Sequence, residues 1–107
     1  MKYLIRRTSQ FKKDYKRSIK RGLAIEKLDK AIELLSRDGF LPPEYNDHPL
    51  AGDKKGLREC HIEPDWLLIY KIDHGILMLV LISTGTHGGD IIGLNQRSLD
   101  IARVSEI

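Results

Sequence analysis

"LRECHIEPDWLLIYKIDHGILMLVLIST", residues 57–84, is the stretch that decides the fold. It holds three short apolar runs with punctuation between them. Leu57 to Ile62 reads as a strand, and Pro64 interrupts because proline has no N–H to give to a ladder. Trp66 to Ile72 reads as a second strand, Asp73-His74-Gly75 as a turn, and Ile76 to Thr84 as a third strand. Runs this short, joined by such tight connections, predict an antiparallel meander.

Upstream the period changes. "KYLIRR" places Tyr3 and Ile5 on one face of a first strand. Thr8 or Ser9 is suited to cap a helix, because a short hydroxyl accepts from a free first-turn N–H. Phe11, Tyr15 and Ile19 recur at helical spacing, and Gly22 supplies the left-handed residue that ends the helix. A second helix is predicted from Ile25 to Arg37, with Ile25, Leu28, Ile32 and Leu35 inward and Gly39 as its stop. "FLPPEYNDHPLAGDKKG", residues 40–56, has three prolines and two glycines and reads as a long irregular connection, a kind that is often functional. The layout is β-α-α-β-β-β, an α+β fold with two N-terminal helices packed on a small antiparallel sheet. It forms one domain over residues 1–93, followed by an extension over residues 94–107 whose irregular apolar pattern fits a short helix.

The totals exclude several classes. One hundred and seven residues suit one domain. The longest apolar run, Ile76 to Ile82, is far short of the ~20 residues of a membrane helix. The first residues are charged and carry no secretory pattern. Cys60 is the sole cysteine, so no internal disulfide forms, and a cytoplasmic location is expected. The net charge of +3 hides an asymmetry: residues 1–30 carry eleven Lys/Arg against three acids. Lys12, Lys13, Lys16, Arg17 and Lys20 lie on the sides of the first helix away from its apolar stripe. They form either a solvated face or a surface for an anionic partner.

Three histidines and one aspartate fall at element ends: His48 in the long loop, His61 near the end of one strand, Asp65 at the start of the next, and His87 after the last. A meander returns these ends to one rim. An unperturbed imidazole titrates near pH 6.5, so two of them can hold and release protons near neutrality. One that removes a ribose 2′-OH proton and another that protonates the leaving 5′-oxygen would transesterify a phosphodiester. Arg58, with Lys54 and Lys55 before it, could hold the phosphate. The same His and Asp set resembles a zinc ligand set, but HExxH is missing and the histidines are scattered, so no metal or other cofactor is expected. His74 reads as a solvated turn residue.

"DHPLAGDKKGLRECHIEPDWLLIYK", residues 47–71, together with Gly85, Thr86 and His87, closely resembles the YafQ-like branch of the RelE/ParE superfamily of type II toxin–antitoxin toxins. The resemblance spans essentially residues 1–92. It implies a microbial-ribonuclease-like sandwich and a ribosome-dependent, metal-independent endoribonuclease that cuts mRNA. It also implies a cognate antitoxin, commonly a ribbon-helix-helix protein, through which the complex binds operator DNA. His48, His61, Asp65 and His87 match the branch's catalytic positions, with His87 as general acid, Asp65 or His61 as base and His48 in support. The chain departs from the pattern in "HGGDIIG", where Ile91 or Ile92 stands at the place of a common aromatic, and in its C-terminal extension. A non-enzymatic gyrase inhibitor like the ParE toxins, or a basic nucleic-acid-binding module, is the competing class. Neither needs an acid–base pair.

Overall fold

The computed structural model describes residues 2–50 and 56–86. In chain order the elements are β1 (Leu4–Arg7), α1 (Ser9–Lys20), α2 (Ile25–Asp38), a 3₁₀ turn (Pro43–Tyr45), β2 (His48–Pro49), β3 (Arg58–Glu63), β4 (Trp66–Asp73) and β5 (Met78–Thr86). They form one five-stranded sheet in the order β1-β5-β4-β3-β2. The expected meander is β3-β4-β5, antiparallel throughout. Among the described residues no helix is long and apolar enough to cross a membrane. The expected extension over 94–107 lies outside the described residues.

Two strands depart from the sequence reading. β2 sits inside the supposed irregular loop and pairs His48 with Glu59 and Pro49 with Arg58. Two residues carry no detectable period, which is why the pattern missed it. β1 runs parallel to β5 at the opposite edge, with Leu4 opposite Met78 and Arg7 opposite Leu81. A parallel neighbour needs a long crossover, here almost the whole intervening chain. Thr8 fixes this junction: its N–H donates to Leu81 O at 3.1 Å, its hydroxyl donates to Ile82 O at 2.7 Å, and the same oxygen accepts from Phe11 N at 2.9 Å as the helix cap.

The main core lies between the helices and one sheet face, and is built on Phe11, Leu28, Leu35, Trp66, Leu68, Tyr70, Leu79 and Leu81. A smaller cluster of Leu50, Leu57, Ile69 and Ile82 covers part of the other face. β4 is therefore buried on both sides, and Trp66 to Ile69 are wholly inaccessible. Alternation along β5 sends Leu79 and Leu81 to the first cluster and Val80 and Ile82 to the second, and a bulge at Ile82 then returns Thr84 to the helix side, where its N–H meets Asp14.

The stripe of α1 is rotated from the sequence reading. Phe11, Asp14 and Ser18 are buried, Tyr15 is half-buried, and Ile19 is 51% exposed. At 3.6 residues per turn Ile19 lies about 100° round from Ser18, beyond the inward face. Asp14 takes the inward place because it is fully partnered: Gln10 Nε2 donates at 2.8 Å, Arg17 Nη1 at 3.1 Å and the Thr84 N–H at 3.2 Å. A buried carboxylate without such donors would be costly. This one fastens α1 to β5.

Both helices end as expected at left-handed glycines, Gly22 (φ +76°) and Gly39 (φ +82°). Their surroundings differ. A Cβ on Gly39 would lie 2.5 Å from Tyr3 Oη, whereas one on Gly22 would meet nothing within 4 Å. Gly22→Ala should therefore cost only the backbone strain, roughly 1–2 kcal/mol. Gly39→Ala should cost clearly more in urea unfolding, since Tyr3 and its hydrogen bond to His74 (2.8 Å) must also shift. Equal losses would mean that Tyr3 yields freely.

Candidate active site

Side chains alternate across a strand, so the register decides which residues meet. Glu59 stands opposite Ile69 and His61 opposite Leu67, on the sheet face away from the helices. His48 pairs with Glu59 and joins the same face. The His48 and His61 ring centroids are 6.0 Å apart. His48 Nε2 donates to Glu59 Oε1 at 3.1 Å, and His48 Nδ1 lies 2.7 Å from Asn46 O. Both neighbours of this ring are acceptors, so both bonds form together only when the ring carries two protons. His61 Nδ1 lies 3.1 Å from Pro64 O. A carbonyl only accepts, so Nδ1 holds the proton and Nε2 of neutral His61 keeps its lone pair.

This arrangement brings together His48 and His61 of the four expected catalytic residues. Asp65 sits exposed in the two-residue turn between β3 and β4, next to Pro64. His87 lies outside the described residues, as do Lys54, Lys55, Ile91 and Ile92. Gly85, two residues before His87, stands opposite Leu67 in the row that contains His61.

The expected phosphate-binding residues divide between the two faces. Arg58 points to the helix side of β3, where its Nε donates to Asp47 Oδ1 at 2.7 Å and the Tyr70 hydroxyl donates to Asp47 Oδ2. Burial first, then the Asp47 carboxylate, pushes the Tyr70 phenol well above its ordinary range, so it remains a donor. Lys12, Lys13, Lys16 and Lys20 are exposed on α1, across the sheet from the histidines, and Arg17 pairs with Asp14. His74 is exposed as expected, yet its ring accepts from or donates to the Tyr3 hydroxyl.

Glu59 is the site residue that sequence reasoning missed. The signal was present: Glu59 and His61 are two apart in a strand and must share a face. Cys60 between them faces the core. Burial, ahead of the nearby Asp47 and Glu59 carboxylates, pushes its thiol up and keeps it from acting as a nucleophile.

The ligand atoms of His48, Glu59 and His61 lie within 4.8 Å of one another. Two imidazoles and a carboxylate match one known set of catalytic zinc ligands. Zinc bonds of about 2.0–2.2 Å would draw these atoms closer together and take the Nε2 proton from His48. The residue types fit an ion, and the hydrogen bonds that hold the site compete with it.

The geometry predicts a ¹⁵N signature for the neutral His61 ring. Neutral His61 should show the Nδ1–H tautomer, because Nδ1 lies against Pro64 O. Glu59→Gln should leave that tautomer in place, since Glu59 bonds His48 and not His61. An Nε2–H tautomer for His61 would contradict the hydrogen-bond assignment.

Known proteins share this framework. Residues 3–90 match the family of the bacterial toxin of type II toxin–antitoxin systems, YafQ. The mRNA interferase toxin YafQ of Escherichia coli K12 is 43% identical over 81 residues, covering 75% of this chain and 86% of that protein. The E. coli YafQ chain in a crystal structure of the DinJ–YafQ complex superposes with a TM-score of 0.73 at 41% identity, covering 80% of this chain and 94% of that one. A metal-bound toxin from Helicobacter pylori superposes with a TM-score of 0.74 at 38% identity, covering 80% and 96%. With most of its length matched in sequence and in fold, this chain belongs to the YafQ family of bacterial type II toxins.

Proposed function

We propose that the chain is the toxin of a type II pair and that it cleaves ribosome-bound mRNA by 2′-OH transesterification, without a metal. One observation carries this reading: His61 has its Nδ1 satisfied by a backbone carbonyl, and its Nε2 has no hydrogen-bond partner among the described residues, beside a His48–Glu59 pair. His61 Nε2 is then the base that takes the 2′-OH proton, with Asp65 the other base candidate at the adjacent turn. In its protonated form His48 places positive charge where the phosphate gains negative charge. His87 gives a proton to the leaving 5′-oxygen. The described chain reaches Thr86, which stands opposite Trp66 at the end of β5.

The E. coli relative was crystallised with DinJ, which supports an antitoxin as partner here. Such an antitoxin, commonly of the ribbon-helix-helix class, would carry the complex to operator DNA. Four exposed lysines on α1 offer a surface for an acidic antitoxin segment or for ribosomal RNA. They face away from the histidines, so they anchor the partner and leave the scissile phosphate to the other face.

The nucleophile in this mechanism belongs to the RNA. A ribosome-bound message with a 2′-deoxy sugar just before the scissile phosphate should bind and remain uncut. The ordinary message should yield a 2′,3′-cyclic phosphate and a 5′-hydroxyl. His61→Ala should slow single-turnover cleavage by about 10²–10⁴, the range for a positioned acid or base. Cleavage of the deoxy message at a normal rate would show that something other than the 2′-OH attacks.

A second reading rests on the close ligand atoms of His48, Glu59 and His61 and on the metal-bound H. pylori relative. A bound divalent ion would supply Lewis-acid charge at this place. Under the first reading, a zinc-selective chelator leaves cleavage by magnesium-supplied ribosomes unchanged. Loss of cleavage with the chelator, restored by one equivalent of zinc and accompanied by one zinc per chain in native mass spectra, would put the second reading first.

A further inference from the structure

A cavity of about 350 Å³ opens where β2 stops covering β3. β2 pairs only with Arg58 and Glu59, so among the described residues no strand pairs with the outer edge of β3 from Cys60 onward. Glu26, Lys27 and Lys30 of α2, Glu44 and Tyr45 of the 3₁₀ turn, and His61 and Ile62 of β3 form the walls. The volume falls within the range of small-ligand sites, about 300–1,000 Å³. His61 belongs to both places: it lines this cavity and it lies beside His48. Whatever occupies the cavity therefore touches the residue that the proposed mechanism uses as its base.

The walls narrow the chemistry of the occupant. Tyr45 is half-buried with its ring packed on the main core, and Ile62 adds a second apolar surface. Lys27 is already committed to Glu63, with Nζ 2.8 Å from Oε2. Lys30 is then left facing two carboxylates, Glu26 and Glu44. A bare phosphate would meet net negative charge here. A flat, uncharged group with an apolar face and both donors and acceptors on its rim meets what it needs: an aromatic wall, carboxylates that accept from an amino group, and an ammonium that donates to a ring nitrogen or carbonyl.

We propose that this cavity is a nucleobase subsite, which holds the base of a nucleotide next to the scissile phosphate and favours amino-bearing bases over uracil. Tyr45 stacks on the base, Glu26 and Glu44 accept from its amino group, and Lys30 donates to its ring acceptor. Tyr45 and Lys30 position the substrate. The assignment of RNA as the substrate rests on the function proposed above.

Two measurements separate the subsite from that function. In the first, AMP, CMP, GMP and UMP are titrated into the free toxin and followed by NMR. The three amino-bearing nucleotides should shift signals of Tyr45, Lys30 and His61, and UMP should shift them less. In the second, single-turnover cleavage of ribosome-bound message is compared among variants with unchanged circular dichroism and melting. Tyr45→Leu should raise the half-saturating toxin concentration about 5-fold or more, the lower end of what loss of one stacked base produces. The maximal rate should change much less. Tyr45→Phe should restore most of the loss, because it keeps the ring, and Lys30→Ala should weaken saturation and the discrimination against UMP. Absence of nucleotide-induced shifts in the cavity, with unchanged half-saturation in folded Tyr45→Leu and Lys30→Ala, overturns the subsite. Variants that lose affinity only for an acidic antitoxin peptide overturn it as well and assign the cavity to a protein partner. Should His61→Ala cleave normally while the nucleotides still bind here, the catalytic assignment fails and the subsite stands.

Discussion

The register between β3 and β4 is the constraint on which the site depends. β4 is buried on both faces, so neither of its side-chain sets has a solvent alternative. A slip of one residue would send every β3 side chain to the opposite face. Cys60 and Ile62 would leave the core, and Glu59 and His61 would enter it. Cys60 and Ile62 are both buried among core residues, so the slip loses apolar burial and also buries charge. The hydrophobic pattern thereby fixes the positions of groups that contribute little to the core themselves. One irregularity is built in. The ladder shifts between His61 and Glu63, and this bulge at Ile62 lies directly beside the residue whose imidazole reaches Pro64 O. Bulges re-aim side chains in this way at strand ends.

The meander, both helices, the Thr8 cap and the two glycine stops were legible because each rests on a local rule: a period, a capping hydroxyl, a left-handed turn. What escaped was non-local. β1 takes its place beside β5 through long-range pairing, and no spacing within "KYLIRR" encodes its partner. The rotated face of α1 escaped for the opposite reason. Apolar spacing favoured Ile19, but Asp14 goes inward because Gln10, Arg17 and Thr84 satisfy it, and Thr84 is 70 residues away. The site was legible in part. His48 and His61 do converge, but through the pairing of β2 with β3 and not through the strand ends of the meander. Glu59 was overlooked because its partner, His48, belongs to a strand of two residues that has no signature of its own. Arg58 read as a free cation because charge is visible in sequence and ion pairing is not.

The Asp47 pairing clarifies how so short a strand holds its place. β2 contributes two residues to the ladder, too few for stability by backbone pairing alone. It is pinned from both faces of the sheet. On the helix side, Asp47 accepts from Arg58 and from Tyr70. On the other side, His48 donates to Glu59. Consecutive residues thus grip β3 and β4 from opposite sides, which consecutive residues of a strand are placed to do. The Asp47 carboxylate is 13% exposed and the Arg58 side chain 35%, so the pair is partly withdrawn from water. Charge-assisted bonds in such a setting are about twice as strong as neutral ones. Arg58, which sequence alone would send to the phosphate, instead positions His48: it holds Asp47, Asp47 anchors the start of β2, and the next residue carries the imidazole. The long proline-rich connection before it is then less a loose loop than a tether whose far end is fastened at one carboxylate, and the geometry of the histidine pair is only as well defined as that fastening.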